Sequence, residues 1–251
     1  MRGLLVYALL GFAAFVPAKA DLVDTVARVK PAVVAVGSFQ PMRSPQYVFQ
    51  GTGFVVGQGL SVVTNAHVAP KTLDTVRQER LIVLAEVEGR PQVRGARIAR
   101  VDWEHDLLLL AIDGPPLPAL ELGDATRVRE GMDVAFTGFP LGMALGLRPV
   151  THRGIVSAIT PVATRMANAR DLSPQAIERL KKPFFVFQLD ATAYPGNSGS
   201  PLYDPHTGEV LGVLNSAFIK QSKEAAIKEP SGISYVIPAT FVRALMEQER
   251  P

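Results

Sequence analysis

From residue 32 onward, apolar positions fall into short runs closed off by Gly, Pro, Asn or Asp. That punctuation predicts strands and tight turns. Ala32–Phe39 (AVVAVGSF) reads as a strand, and Gln40–Gln50, with two prolines, as a loop. Phe54–Val56 and Leu60–Thr64 flank Gly57-Gln58-Gly59 and predict a hairpin. Further strands are expected at Leu81–Glu88, Val93–Val101 and Leu107–Ile112. Asp113–Glu130 carries three prolines and few apolar runs, so it reads as a link between two halves. The second half predicts strands at Met132–Thr137, Gly154–Thr160, Phe184–Leu189, Val210–Leu214 and Ser234–Ile237. Helical spacing is confined to three places. Asp21–Lys30 is amphipathic and stops at Pro31. Ser173–Lys182 opens with a capping serine and Pro174, with only Ile177 and Leu180 apolar at helical spacing. Thr240–Glu249 closes the chain. Many short strands and few helices predict an all-β fold of barrels or a sandwich.

Composition narrows this picture. The chain has 251 residues, 47% apolar and 20% charged, which allows a large packed core. There is no cysteine, so disulfides, thiolate metal sites and cysteine nucleophiles are excluded. Residues 1–20 read as a signal peptide: Arg2, then apolar Gly3–Val16, then Ala18-Lys19-Ala20 before the cut. A membrane anchor is the alternative, but the apolar run is short for a bilayer. Export makes ATP chemistry an unlikely expectation. Loss of Arg2 and Lys19 leaves the rest of the chain close to neutral, with no concentrated basic face for nucleic acid.

The candidate chemistry is nucleophilic. YPGNSGSPL, Tyr194–Leu202, sets Ser198 among turn-forming residues. By itself it is only a turn. A serine nucleophile also needs a neutral imidazole as base and a carboxylate to orient that imidazole. His67 ends VVTNAHV just beyond a predicted strand, and Asp106 opens an apolar strand in DWEHDLLLL. A carboxylate drawn inward there needs a partner, and His67 is the candidate. Asp102 reads as a turn residue, and His105, His152 and His206 as structural or solvated. In a tight turn at Gly196-Asn197-Ser198, the N–H groups of Gly196 and Ser198 converge on one point and form an oxyanion hole. A base that acts only when neutral predicts activity rising with pH through about 6–7.5. The order His67, Asp106, Ser198 is that of chymotrypsin-like folds, not of subtilisins or α/β-hydrolases.

At this point the sequence resembles the protease domain of the HtrA/Deg serine proteases. The carrying stretches are GTGFVV, VVTNAHV, DLLLLAI, TGFPLG, RGIVSAI, QLDATAYPGNSGSPL, GEVLGVLNSA and SGISYVIPATFVRALM, in family order. The resemblance implies two six-stranded β-barrels, residues 21–122 and 123–251, with the active site between them. It implies catalytic His67, Asp106 and Ser198, and an oxyanion hole at Gly196, Asn197 and Ser198. Thr192 and Ala193 would line the primary specificity pocket. Leu214, Asn215, Ser216 and Ala217 would pair with substrate as an added strand. With no acidic residue in Thr192–Pro195, cleavage is expected after small or medium apolar residues. The implied protein is an exported endopeptidase, periplasmic or secreted, in envelope protein quality control or processing. It would use polypeptide substrates, no cofactor, no metal, no nucleic acid and no lasting membrane insertion.

The sequence departs from the pattern in four ways. HtrA proteins typically continue into PDZ domains, whereas this sequence stops at Pro251. The N-terminal stretch that supplies trimer contacts is short. Ser200 replaces the usual glycine, as in bacterial glutamyl endopeptidases. Thr160–Pro183 is long and is expected either to gate the site or to decorate the surface. The competing reading is a latent protease-fold binding or chaperone-like protein. A metal or nucleotide enzyme lacks its motifs: there is no HExxH or P-loop, and Val56 breaks GxGxxG.

Overall fold

The computed structural model describes residues 21–70, 72–142, 148–162, 183–215 and 232–248. The expected signal segment, the helix at Ser173–Lys182, most of the long insert, and Ser216 and Ala217 lie outside the described residues. Twelve strands and two α-helices account for the regular structure that is described. The first six are β1 (Val33–Phe39), β2 (Tyr47–Val56), β3 (Ser61–Asn65), β4 (Arg80–Val87), β5 (Arg90–Asp102) and β6 (Leu107–Ile112). They close into an antiparallel barrel in the order β1-β2-β3-β6-β5-β4. The second six are β7 (Asp133–Gly138), β8 (Val150–Pro161), β9 (Phe185–Asp190), β10 (Pro201–Tyr203), β11 (Val210–Asn215) and β12 (Ile233–Pro238). They close in the order β10-β11-β12-β9-β8-β7. The expected pair of six-stranded barrels is therefore present.

The strand sequences explain the closure. β6 (LLLLAI) and β11 (VLGVLN) are apolar almost throughout and buried on both faces. One face fills a barrel, and the other packs against a neighbouring element. Tyr203, Val210, Val213 and Ile237 of the second barrel join the buried cluster of the first. β5 is the opposite case, with Arg90 and Arg97 exposed along a largely exposed strand.

β2 begins earlier than expected. Tyr47–Phe49, read as loop, pair with Gly37–Phe39 of β1. The prolines Pro41 and Pro45 sit in the turn before that pairing starts, so they remove no ladder bond. β10 was not expected at all. It is three residues long, too short to show periodicity, and exists because β7 and β11 pair with it on either side.

Each end of the described chain docks partly on the other barrel. Helix α1 (Leu22–Val29) precedes the first barrel, yet Thr25 Oγ1 donates to the His206 carbonyl at 3.2 Å and Arg28 to that of Thr207 at 3.3 Å. Helix α2 (Ala239–Glu247) follows the second barrel, yet Arg100 of β5 donates Nη1 to the carbonyls of Leu245 at 3.1 Å and Met246 at 2.5 Å. Those carbonyls belong to the last turn of α2, where a cation is favoured. The link between barrels is also held. Leu120 bridges to Val56 and Leu122 to Val210.

Candidate active site

Asn65 of β3 pairs with Leu107 of β6, so the residues just beyond β3 and just before β6 meet at one end of the first barrel. His67 lies in the three-residue 3-10 turn Ala66–Val68. Asp106 is the last residue of the β5–β6 turn and adopts a left-handed conformation, φ 54°. That conformation costs about 1 kcal/mol for a residue with a Cβ. It is held from β3: the Asp106 carbonyl accepts from the Ala66 N–H and from Asn65 Nδ2, both at 3.1 Å.

The Asp106 carboxylate clasps His67. Oδ1 accepts the His67 backbone N–H at 2.9 Å, and Oδ2 lies 2.6 Å from His67 Nδ1. This arrangement favours the proton on Nδ1 and leaves Nε2 to accept one. A third donor arrives from the other barrel, where Asn215 Nδ2 reaches Asp106 Oδ2 at 2.8 Å. Asn215 was expected to serve the substrate strand. Its side chain is fully buried and reaches Asp106, a contact that expectation did not include. Nothing local marks it, because its partner is 109 residues away.

Ser198 sits in the turn before β10 and is 4% exposed. Two glycines set that turn, Gly196 at φ 98° and Gly199 at φ 88°. A Cβ at Gly199 would lie 1.9 Å from the Thr52 carbonyl oxygen, so only glycine fits. Thr52 of β2 is the hold from the first barrel, and sequence reading passed over it. Its N–H donates to the Ser198 carbonyl at 2.8 Å. Its hydroxyl donates to the Gly196 carbonyl at 2.7 Å and accepts the Phe139 N–H at 3.0 Å. Its only sequence signal was its place inside the GTGFVV stretch.

β11 holds the turn from the other side, and this corrects the expectation for Leu214. The Leu214 carbonyl accepts the Gly199 N–H and its own N–H donates to the Ser200 carbonyl, both at 2.9 Å. Its side chain is fully buried. Leu214 therefore braces the serine turn rather than facing a substrate. Asn197 is corrected too. Its N–H is used within the turn, on the Tyr194 carbonyl at 3.0 Å, and so is not aimed at an oxyanion. The Gly196 N–H makes no hydrogen bond among the described residues. Thr192 is half-buried, and Ala193 is buried against the second-barrel core.

Ser200 is fully buried, and its hydroxyl has no partner among the described residues. A buried unpaired hydroxyl costs about 1–3 kcal/mol. Ser200→Ala is expected to raise the melting temperature by a few degrees, with kcat/KM within about twofold of wild type. A lower melting temperature in calorimetry would contradict this.

His152 flanks the same region. Its ring stacks on Phe136 at 4.8 Å and 16°, and Nε2 is buried without a partner among the described residues. Burial holds its imidazole below the ordinary 6.5. Above that value the group is neutral in both states and leaves stability unaffected. As pH falls below it, the unfolded chain takes up the proton first, and stability is lost until the folded imidazole also protonates. Thermal melts between about pH 7 and 5 should therefore show a smaller decline in His152→Phe than in wild type. Parallel declines would rule His152 out as a source of acid sensitivity.

Among the described residues, no group of three His, Asp or Glu could hold a metal.

The chain is similar to known serine proteases in sequence and to a solved structure in fold. Serine protease HTRA2, mitochondrial, of Drosophila pseudoobscura pseudoobscura is 32% identical over 199 residues, 79% of this chain and 38% of that protein. A probable periplasmic serine endoprotease DegP-like of Halomonas elongata is 30% identical over 200 residues, 80% of this chain and 35% of that protein. The chain thus spans less than two-fifths of the length of these relatives. Among solved structures, Deg5 is similar in fold, with a TM-score of 0.64 at 24% identity, covering 88% of this chain and 90% of that one. The family model described as a trypsin-like peptidase domain matches residues 51–213. That match runs from β2, which carries Thr52, through the serine turn and into β11. It covers well over half of the chain, and the chain therefore belongs to the trypsin-like peptidase domain family.

Proposed function

We propose that the chain is a serine endopeptidase of HtrA type, working through His67, Asp106 and Ser198. The observation that carries this reading is the Asp106 carboxylate, clasped to His67 at 2.6 Å and tied by Asn215 to the strand that braces the Ser198 turn. Ser198 Oγ attacks the scissile carbonyl carbon while His67 Nε2 takes its proton. Asp106 stabilises the imidazolium that forms. The N–H groups of Gly196 and Ser198 hold the oxyanion, a contribution typically worth about 10²–10³ in rate per donor. The tetrahedral species collapses, His67 returns the proton to the leaving amine, and the acyl group stays on Ser198. Water, deprotonated by His67, then releases the carboxylate product and restores the serine.

Substrates are polypeptides cut after small or medium apolar residues, with Thr192 and Ala193 at the specificity pocket. A peptide library cleaved after Lys, Arg or Glu would overturn that preference. The site of action is outside the cytoplasm, in envelope protein quality control or processing. The leader-like residues 1–20 and the periplasmic name of one relative support this.

A second reading, a latent site that binds rather than cuts, is favoured by one observation. The Asn197 amide is fully buried, and neither Oδ1 nor Nδ2 has a partner among the described residues. Fluorophosphonate labelling separates the two. Labelling of wild type that is lost in Ser198→Ala and His67→Ala supports an assembled site. No labelling of the folded protein supports latency.

A further inference from the structure

The molecule holds a second His–Asp pair with nearly the geometry of the first. Asp102 Oδ2 lies 2.6 Å from His105 Nδ1, and Asp102 Oδ1 accepts the His105 backbone N–H at 3.0 Å. The pair is more enclosed than His67–Asp106, with side chains 15% and 17% exposed against 36% and 23%. One face of its imidazole is covered, and a second ring meets it from the side. Phe241 of α2 stacks on it at 3.8 Å and 21°, and Phe184, just before β9, meets it edge-on at 4.6 Å and 64°. The two phenylalanine rings also touch each other, at 5.4 Å and 72°. An imidazole enclosed in this way is poorly placed to exchange protons with a substrate, but well placed to hold a turn.

The turn it holds is the one that presents Asp106. β5 and β6 are in register at Asp102 and Leu107, so residues 103–106 form the whole connection. Trp103 is 66% exposed and Glu104 is also exposed. His105 is the residue next to Asp106, and the ring cluster anchors its side chain. The cluster draws on both barrels and on α2. Arg100, further back on β5, grips the last turn of the same helix.

We propose that His105 is a positioning residue. Locked by Asp102 and packed against Phe241 and Phe184, it fixes the β5–β6 turn so that Asp106 meets His67, and so makes α2 part of the support of the active site. This rests on the triad reading given above. A sub-ångström to 1 Å displacement of an orienting group is enough to cost about one to two orders of magnitude in rate.

The test compares His105→Phe, which keeps a flat ring against the two phenylalanines but loses the bond to Asp102, with His105→Ala, which loses both. Phe241→Leu loosens the ring packing and leaves the Asp102–His105 bond in place. The readouts are melting temperature, kcat and KM on a cleaved peptide, and the low-field proton resonance of His67 Nδ1, assigned by its absence in His67→Ala. The expected result for folded His105→Phe is a fall in kcat of about tenfold at unchanged KM, with the resonance shifted or broadened. Phe241→Leu should move both readouts in the same direction by a smaller amount. Wild-type kcat and an unchanged resonance in His105→Phe would overturn the proposal and reduce His105 to packing. If His105→Phe does not fold, the same readouts on Phe241→Leu decide. The resonance reports on Asp106 even if wild type neither cleaves nor labels. In that case a shifted resonance keeps the positioning role while the protease reading fails.

Discussion

Ser198→Ala and His67→Ala are each expected to lower kcat on a cleaved peptide by about 10⁶-fold, with the double variant hardly worse than either alone. The reason is that neither group does chemistry by itself. A serine hydroxyl is a weak nucleophile until a base takes its proton, and the base has nothing to activate without the hydroxyl. The residual rate comes from the oxyanion donors and from substrate binding, which both variants keep. Folding should change little, because His67 projects from a surface turn and the lost Ser198 hydroxyl is one atom. The measurement is steady-state cleavage together with fluorophosphonate labelling. Losses that simply multiply in the double variant would mean the two residues act independently, and the triad reading would then fail.

Asp106→Asn should lower kcat by about 10⁴-fold while the fold is retained. Asp106 accepts three hydrogen bonds: one on Oδ1 from the His67 N–H, and two on Oδ2, from His67 Nδ1 and Asn215 Nδ2. An amide has one accepting oxygen and one donating nitrogen. With its nitrogen in the place of Oδ1, it opposes the His67 backbone donor. With its nitrogen in the place of Oδ2, it forces Nδ1 to accept, so the ring proton moves to Nε2, where the base is needed. The second arrangement becomes the better one if Asn215 turns its own amide over. The pH profile tests this, since a wrong tautomer is not corrected by raising the pH. A kcat within tenfold of wild type would show that Asp106 does not orient His67.

The strands were legible where both of their faces are apolar. β6 and β11 are near-continuous runs, and such runs can only be buried. Strand ends were less legible. Tyr47–Phe49 of β2 and all of β10 are strands because a neighbour pairs with them, and pairing across a closed barrel leaves little trace in a short window. His67, Asp106 and Ser198 could be named because each sits at a strand end or glycine turn with local marks. Thr52 carried no such mark of its own role.

The sequence by itself determined an all-β class of barrels or a sandwich, which the family resemblance narrowed to two barrels, together with the order of His67, Asp106 and Ser198 and the glycines of the serine turn. These depend on local properties: burial of short apolar runs, and backbone angles that only glycine takes without strain. The tertiary structure alone decided that Asn215 serves Asp106, that Leu214 braces the turn, and that Asn197 spends its N–H within the turn. It also decided that His105 pairs with Asp102 beneath α2. These are hydrogen bonds and ring contacts, most of them between distant segments. A hydrogen bond depends on where two groups meet, and only barrel closure brings these groups together.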